Sequence, residues 1–124
     1  MKEEQEFDSV EFAVGITSFG NGYVSVTSGG EIQKGSLVFD GDKIPDGAVI
    51  RHRCDGDKFT PYGGGMKKLK EYLIDKKIPR RKRDALPLVC YEDKVLVVVG
   101  VEISDSVKIT DGTVNRLKIT YEED

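Results

Sequence analysis

The stretch from Arg51 to Pro87, RHRCDGDKFTPYGGGMKKLKEYLIDKKIPRRKRDALP, decides how this chain is organised. Its second half carries the most regular helical pattern of the sequence, because apolar side chains recur there at intervals of three and four residues. The pattern predicts a helix over Met66–Lys77 with one buried stripe and with its lysines facing water. The residues of the stripe are Met66, Leu69, Tyr72 and Leu73.

Pro79 predicts the end of this helix and the start of a second one. A proline disfavours the helical conformation of the residue before it, here Ile78, so the first helix should stop near Lys77. Proline is also favoured at the beginning of a helix, and a short helix is therefore expected over Arg80–Asp84. The sequence thus predicts two helices joined at a proline corner.

Short apolar runs bounded by turn residues predict strands on both sides of this stretch. The run Lys94–Val101 is apolar on both faces, which is typical of a strand in the middle of a sheet. We expect one domain over residues 1–124, of the α+β class: mostly antiparallel β, in sandwich-like sheets, with the basic helix and the short second helix packed on one side. The predicted strands are Phe7–Val14, Tyr23–Thr27, Ser36–Phe39, Ala48–Cys54, Leu86–Cys90, Lys94–Val101, Ser104–Thr110 and Asn115–Tyr121.

Positive charge is concentrated in one segment of an acidic chain. The 124 residues have a formal net charge of −3. Lys67–Arg83 holds nine basic and two acidic residues, a charge of +7, whereas the rest holds ten and twenty, a charge of −10. A cationic patch on an acidic protein is the footprint of a polyanion-binding surface, and the acidic remainder would discourage indiscriminate binding.

Several other classes of protein are disfavoured by composition. The longest apolar run, Val95–Val99, is too short to cross a membrane, and the amino terminus is acidic, so we expect no membrane segment and no signal peptide. Cys54, Cys90 and the single histidine, His52, cannot form a zinc ligand set. We interpret the cysteines as reduced thiols of an intracellular protein, with a disulfide as the weaker alternative, and His52 as a solvent-facing or partner-facing strand residue rather than a catalytic one.

An ordered series of motifs resembles a known family. The series runs from a turn motif through Arg-x-Arg, Gly-Asp-Lys, a glycine-rich turn, a lysine-rich helix and Asp-Lys-Lys-Ile-Pro to Arg-Asp before a proline. In this order it resembles the carboxy-terminal domain of tRNA(Ile)-lysidine synthetase, over about Leu37 to Thr110. The matching segments are Phe39–Ile44, Ile50–Pro61, Lys67–Lys70, Ile74–Pro79 and Arg83–Leu88.

The resemblance carries expectations about function. It implies that the parent enzyme uses ATP to join lysine to the wobble cytidine of isoleucine tRNA, and that this domain grips the tRNA around its acceptor stem. It also implies a fold similar to a domain of the phenylalanyl-tRNA synthetase beta chain. The family's ATP-pyrophosphatase loop, Ser-Gly-Gly-x-Asp-Ser, belongs to an amino-terminal catalytic domain that we expect to be absent here. The expected partners are therefore tRNA and that catalytic domain, in the cytoplasm, and we expect no enzyme activity, metal or cofactor in this chain, since the catalytic domain uses the ATP and lysine.

The candidate RNA-binding residues follow from the basic segment and its flanks. Glycines at Gly63–Gly65 could let the backbone approach a phosphate and leave amide groups unpaired at a helix start. Lysines offer flexible point charges, whereas arginines offer planar forks that bond a phosphate twice. The candidates are Arg51, Arg53, Lys58, Gly64, Gly65, Lys67, Lys68, Lys70, Lys76, Lys77, Arg80, Arg81 and Arg83.

Plainer interpretations of the same residues remain open. The lysine-rich helix could be a solvated face, the glycine triplet a turn, and Asp75 and Asp84 ion-pair partners or helix-end residues instead of acids or bases. Phe59 and Tyr62 are more typical of core packing than of base stacking. The alternative function is a stand-alone interaction module that binds a polyanion or an acidic protein through the basic helix. A small enzyme is the weakest hypothesis, because no nucleophile–base pair is visible.

Overall fold

Two β sheets and two helices form three layers in the structure, a computed structural model that describes residues 9–29 and 35–123. The larger sheet lies in the middle, with the smaller sheet on one face and the helices on the other. The predicted fold class, a mostly antiparallel α+β arrangement with both helices beside a sheet, is confirmed. The first two residues of the predicted strand Phe7–Val14 lie outside the described part of the chain.

The secondary structure consists of short elements. In chain order they are β1 Val10–Glu11, β2 Gly15–Phe19, β3 Gly22–Ser28, β4 Leu37–Asp40, β5 Val49–Arg51, β6 Lys58–Phe59, β7 Lys67–Lys68, α1 Leu69–Asp75, α2 Arg80–Ala85, β8 Leu88–Tyr91, β9 Lys94–Val98, β10 Glu102–Ile103 and β11 Arg116–Glu123. Two 3₁₀ turns complete them, at Gly41–Lys43 and at Asp105–Val107.

The strands of the two sheets are connected mainly by antiparallel pairing. The larger sheet has the order β1-β5-β8-β9-β6-β7, and β10 pairs with β9 as well. The smaller sheet has the order β2-β3-β11-β4. The pair β6–β9 is parallel. It places β6 beside the central strand β9, and β7, where the basic segment starts, pairs with β6 on its other side.

The central strand β9 is buried on both faces, as its sequence predicts. A bulge in its pairing with β8 leaves Leu96 without a register partner, because Val89 pairs with Val97 and Cys90 with Val95. Consequently Leu96 and Val97 both belong to the core between the sheets, while Val95 belongs to the core beneath the helices.

Two apolar cores hold the layers together. The core between the sheets is built from alternating residues of β3, β4 and β11 against β5, β8 and β9. The core beneath the helices joins α1 to the opposite face of the larger sheet. Its buried members are Phe59, Leu69, Tyr72, Leu73, Leu88, Cys90, Val95 and Val98. The predicted apolar stripe of the helix is therefore confirmed except at Met66, which is exposed.

The first helix is shorter than predicted at both ends. It begins at Leu69 because Lys67 and Lys68 are extended and pair with β6, which makes them a strand. It ends at Asp75, and Lys77 follows in a left-handed conformation with φ of 60°. The second helix, predicted over Arg80–Asp84, is confirmed and is one residue longer.

The other predicted strands are present with shifted ends, except that one prediction is wrong and three strands are clearly too long. Among the described residues, the predicted strand Phe7–Val14 is reduced to Val10–Glu11, and the predicted strand Lys94–Val101 ends at Val98. The predicted strand Ser104–Thr110 is wrong, since Ser104 instead caps the 3₁₀ turn Asp105–Val107 with its hydroxyl group. The predicted strand Ala48–Cys54 is too long, because β5 ends at Arg51. His52 therefore does not lie in a strand: it is half-buried and its ring packs against Phe19, with 4.6 Å between the ring centroids.

Candidate nucleic-acid interface

A mostly buried ion pair shapes the loop that precedes the basic segment. The Nη1 and Nη2 atoms of Arg51 donate to the two carboxylate oxygens of Asp57 at 3.0 and 2.8 Å, and both side chains are largely shielded, with 12% and 3% exposed. Arg51 also donates to the backbone oxygens of His52 and Glu92, and Asp57 accepts from the backbone amide of Cys54. The hydrogen bond to Asp57 raises the pKa of Arg51 above its ordinary value, so Arg51 stays charged. Arg51, a candidate RNA-binding residue, is thus engaged in holding the fold.

This fixed loop forms one wall of a cleft of about 220 Å³. The opposite wall is the junction of β7 and α1, which is tied to the loop by a backbone hydrogen bond from Leu69 to Asp57. Arg53, Lys68 and Lys70 line the cleft together with Asp55. Three basic residues separated by up to seventeen positions in the sequence therefore converge on one opening.

The short helix α2 is joined to the rim of the cleft by Arg53. The Nε and Nη2 atoms of Arg53 donate to Oδ1 of Asp84 at 2.9 and 2.7 Å. Asp84 follows Arg80 by four residues and Arg81 by three, so these three residues lie on the same side of α2. The pair therefore places Arg53 on the side of α2 that carries Arg80 and Arg81.

We call the surface formed by Arg53, Lys68, Lys70, Arg80 and Arg81 the cationic face. Within the described residues, Lys68, Lys70, Arg80 and Arg81 are exposed and make no ion pair. Their charges are available to a ligand without the breaking of an internal contact. The backbone that carries them is held by the buried pair of Arg51, by the edge of the sheet and by Asp84.

Other candidate lysines form exposed ion pairs. Nζ of Lys58 lies 3.0 Å from the carboxylate of Asp93, Nζ of Lys67 lies 3.6 Å from Asp75, and Nζ of Lys76 lies 3.9 Å from Glu102. Exposed pairs of this kind contribute about 0 to 1 kcal/mol, so a stronger anion can replace the acidic partner. Asp75 and Asp84 are confirmed as ion-pair partners of neighbouring basic residues.

The remaining candidates differ in their surroundings. Lys77 is exposed between the helices, whereas Arg83 is half-buried and its Nε atom is shielded from solvent with no hydrogen-bond partner among the described residues. Gly64 and Gly65 do not precede a helix, because β7 separates them from α1. The amides of Gly63 and Gly64 are bonded to Asp105 and to Pro61, so the glycines form a turn and the expected unpaired amides at a helix start are not found there. Whether these residues contact RNA stays a prediction.

Sequence reasoning missed three features of this region. Lys82 is exposed on α2, and Lys94 is the register partner of Lys58, which in turn pairs with Lys68. A row of three lysines therefore crosses neighbouring strands, and no local pattern reveals such a row because it depends on long-range pairing. The third feature is Tyr62, which is exposed and not part of the core, although the expected core position of Phe59 is confirmed.

The described residues offer little cysteine reactivity and no metal site. Cys54 and Cys90 are not joined by a disulfide. Burial is the main cause that raises the pKa of Cys90 to about 12, so this thiol stays protonated and unreactive at neutral pH. Among the residues that the structure describes, no group of three or more histidine, cysteine, aspartate or glutamate side chains could hold a metal ion. Their helices are also too short and too polar to span a membrane.

The fold and the cationic face define the class of this protein: an α+β domain of two stacked sheets that carries arginines and lysines at fixed positions beside one face of the larger sheet. Residues 48–119 match the family described as the TilS substrate C-terminal domain. The chain belongs to this family. The predicted resemblance to the carboxy-terminal domain of tRNA(Ile)-lysidine synthetase is confirmed.

Similar proteins agree with this assignment. The tRNA(Ile)-lysidine synthase of Caldanaerobacter subterraneus subsp. tengcongensis is 39% identical over 123 residues, which cover 97% of this chain and 26% of the relative. The tRNA(Ile)-lysidine synthase of Clostridium tetani is 45% identical over 85 residues, 68% of this chain and 18% of the relative. A crystal structure of a TilS C-terminal domain superimposes with a TM-score of 0.73 at 27% identity, and the match covers 93% of this chain and 95% of that one. The chain thus spans about a quarter or less of the length of these full-length relatives.

Proposed function

We propose that this domain binds tRNA through the cationic face, as the tRNA-gripping part of a ligase that joins lysine to the wobble cytidine of isoleucine tRNA with ATP. The observation that carries the proposal is that Lys68, Lys70, Arg80 and Arg81 are exposed without an ion pair among the described residues, on a backbone that internal contacts hold in place. Relatives named tRNA(Ile)-lysidine synthase support the choice of tRNA as the polyanion.

The chemistry of the face suits a double-stranded RNA stem such as the acceptor stem. Side chains cannot reach the base edges in the deep major groove of such a stem, so it is recognised by its shape, phosphates and 2′-hydroxyl groups. Arg80 and Arg81 can each bond a phosphate with two parallel hydrogen bonds, and Lys68 and Lys70 add point charges beside the cleft. The domain would hold the tRNA in position and leave the reaction to another part of the enzyme.

That other part is, in our proposal, an amino-terminal catalytic domain of the same protein, in the cytoplasm. The relatives are about four to six times as long as the matched region, which leaves room for such a domain. ATP and lysine would bind there, and this chain would need no cofactor of its own. Its contribution would be affinity and orientation of the tRNA.

The salt dependence of tRNA binding tests the proposal. Each phosphate that a protein neutralises releases condensed counterions, with a slope of log K against log salt of about −0.7 to −0.9 per contact. Four contacts, by Lys68, Lys70, Arg80 and Arg81, should therefore lower the affinity about fiftyfold or more between 50 and 200 mM salt. The measurement is a fluorescence-anisotropy titration of labelled tRNA at several salt concentrations. A flat response would contradict binding through this face.

Competition with heparin separates tRNA binding from the alternative function. A stand-alone module that binds any polyanion, or an acidic protein, would be displaced by heparin as readily as by tRNA at equal charge. If the fixed geometry of the face fits an RNA stem, folded tRNA should compete several times more strongly than heparin, because charge complementarity alone carries no shape information. Equal competition would favour the polyanion-binding module.

We also expect this chain alone to lack ATP pyrophosphatase and lysine-transfer activity. The sequence contains no Ser-Gly-Gly-x-Asp-Ser loop that could hold the phosphates of ATP. Incubation with ATP, lysine and isoleucine tRNA should leave pyrophosphate at the level of a protein-free blank. A full-length tRNA(Ile)-lysidine synthase serves as the positive control, and pyrophosphate release by this chain above the blank would overturn the expectation.

A further inference from the structure

The loop between β6 and β7 presents an aromatic ring to solvent. Tyr62 is 62% exposed, and Met66 in the same loop is 64% exposed. The neighbouring aromatic residues in the sequence, Phe59 before it and Tyr72 after it, behave differently, since they pack against each other in the core with 4.7 Å between their ring centroids. The loop therefore exposes Tyr62, whereas the neighbouring aromatic side chains are buried.

The backbone that carries Tyr62 is held by side chains of β10 and of the 3₁₀ turn that follows it. The amide of Tyr62 donates to Oε2 of Glu102 at 2.9 Å, and the amide of Gly63 donates to Oδ1 of Asp105 at 3.0 Å. Pro61 forms an isolated bridge with Ser104 and accepts from the amide of Gly64. The ring is thus presented from a loop whose backbone is fixed, so little conformational freedom would be lost on binding.

The two carboxylates that hold the loop are themselves satisfied. Glu102 also accepts a hydrogen bond from the hydroxyl group of Tyr72, whose pKa is raised mainly by burial and also by Glu102, so that it remains a donor. Asp105 accepts from the ammonium group of Lys108 at 3.1 Å as well as from Gly63, and both contacts lower its pKa. Much of the negative charge beside the ring is therefore already committed to protein donors.

One lysine lies beside the exposed ring, and a second lies beside the residue that holds its backbone. Nζ of Lys108 lies 5.6 Å from the centroid of the Tyr62 ring. Nζ of Lys76 lies 3.9 Å from Glu102, the residue that binds the amide of Tyr62. Lys76 follows directly on α1, so the backbone of Tyr62 lies near the end of the first helix. An exposed aromatic surface beside a cation is the combination that proteins use to bind single-stranded nucleic acids.

From this arrangement we propose that Tyr62, with Lys108 beside its ring, is a stacking platform for an unpaired RNA nucleotide. The inference rests on the proposed function, because it places an unpaired segment beside the stem that the cationic face binds. A paired base inside a stem keeps both faces covered by its neighbours, whereas an unpaired or terminal base offers a face to the ring. Stacking is tolerant of base identity, so the site would select for single-stranded structure and not for sequence.

Two hairpin RNAs with the same stem test this inference, one blunt and one with four unpaired nucleotides at its 3′ end. Tyr62→Ala should weaken binding of the RNA with the unpaired end by at least about fivefold, because loss of one base–aromatic stack has an effect of this size. Binding of the blunt hairpin should change by less than about twofold. Tyr62→Phe should bind both as the unaltered protein does, and Val114→Ala, at a site that is 87% exposed in another loop, is the control.

A fluorescent base in the unpaired end gives a second readout that a structural role of Tyr62 would not produce. The fluorescence of 2-aminopurine placed there should be quenched by stacking on the unaltered protein and on Tyr62→Phe, but not on Tyr62→Ala. Equal losses for both hairpins, or no loss for either, would overturn the platform while binding of the blunt hairpin still supports the proposed function. If the unaltered protein binds neither hairpin, the proposed function fails first.

Discussion

Replacing Asp57 by alanine should lower the free energy of unfolding by about 3 kcal/mol. The carboxylate of Asp57 is the bidentate partner of Arg51, and it also accepts the amide of Cys54. Without it, a guanidinium group with a side chain only 12% exposed would stay charged and lose its partner. Breaking a buried ion pair from one side costs about 3 to 5 kcal/mol, and the remaining exposure of Arg51 places the expected loss at the lower end. Urea denaturation followed by circular dichroism measures it.

Asp93→Ala is the matched control for this variant. It removes the same kind of side chain from an ion pair, with Lys58 at 3.0 Å, but both partners there are about half exposed. Water already screens such a pair, so the free energy of unfolding should change much less than it does for Asp57→Ala. Similar losses for the two variants would mean that the pair of Arg51 and Asp57 does not stabilise the fold more than a surface pair does.

The parts of the fold that the sequence predicted are those that depend on local patterns. The apolar stripe of Leu69, Tyr72 and Leu73 specifies the buried side of α1 because helical spacing fixes which residues share a face. Pro79 separates the two helices through its own covalent geometry. The apolar run of β9 required burial on both faces, whatever the neighbouring strands were.

The parts that the sequence did not predict depend on distant pairing. Lys67 and Lys68 follow the helical pattern well enough, but pairing with Lys58 and Phe59 at the sheet edge draws them into β7. The strand β2 was missed because it is held mainly by β3, and its outward residue Ile16 is exposed, which gives a weak alternating pattern. Tertiary contacts override local preference at such positions.

The candidate nucleic-acid interface also combines features that local sequence predicts with features that depend on distant contacts. Exposure of Arg80 and Arg81 follows from a short, highly charged helix with no apolar stripe of its own. The partner of Arg51 could not be read from the sequence, because Asp55 and Asp57 are both close in the chain and only the fold selects Asp57. The link from Arg53 to Asp84 joins residues 31 positions apart, and it is this link that makes one face of two separate basic segments.

The double variant Arg80→Ala/Arg81→Ala should weaken tRNA binding by about 2 kcal/mol, or roughly thirtyfold, if each residue loses a charged hydrogen bond to phosphate. Both arginines lie on α2, which is held by Asp84 through Arg53, so less freedom is lost when they bind than for a lysine on a mobile stem. Each can also bond a phosphate with two hydrogen bonds. Titration of labelled tRNA at constant salt measures the loss.

The control is Lys70→Ala/Lys76→Ala, which removes the same number of positive charges from the same basic segment. Lys70 has a flexible side chain that offers only a point charge, and Lys76 already contacts Glu102 and the ring of Tyr72. The lysine variant should therefore lose less affinity than the arginine variant, by about 1 kcal/mol or more. Thermal melts of both proteins establish that each remains folded. Equal losses would mean that tRNA responds to total charge alone, and the fixed position of the arginines beside Arg53 would then contribute nothing to recognition.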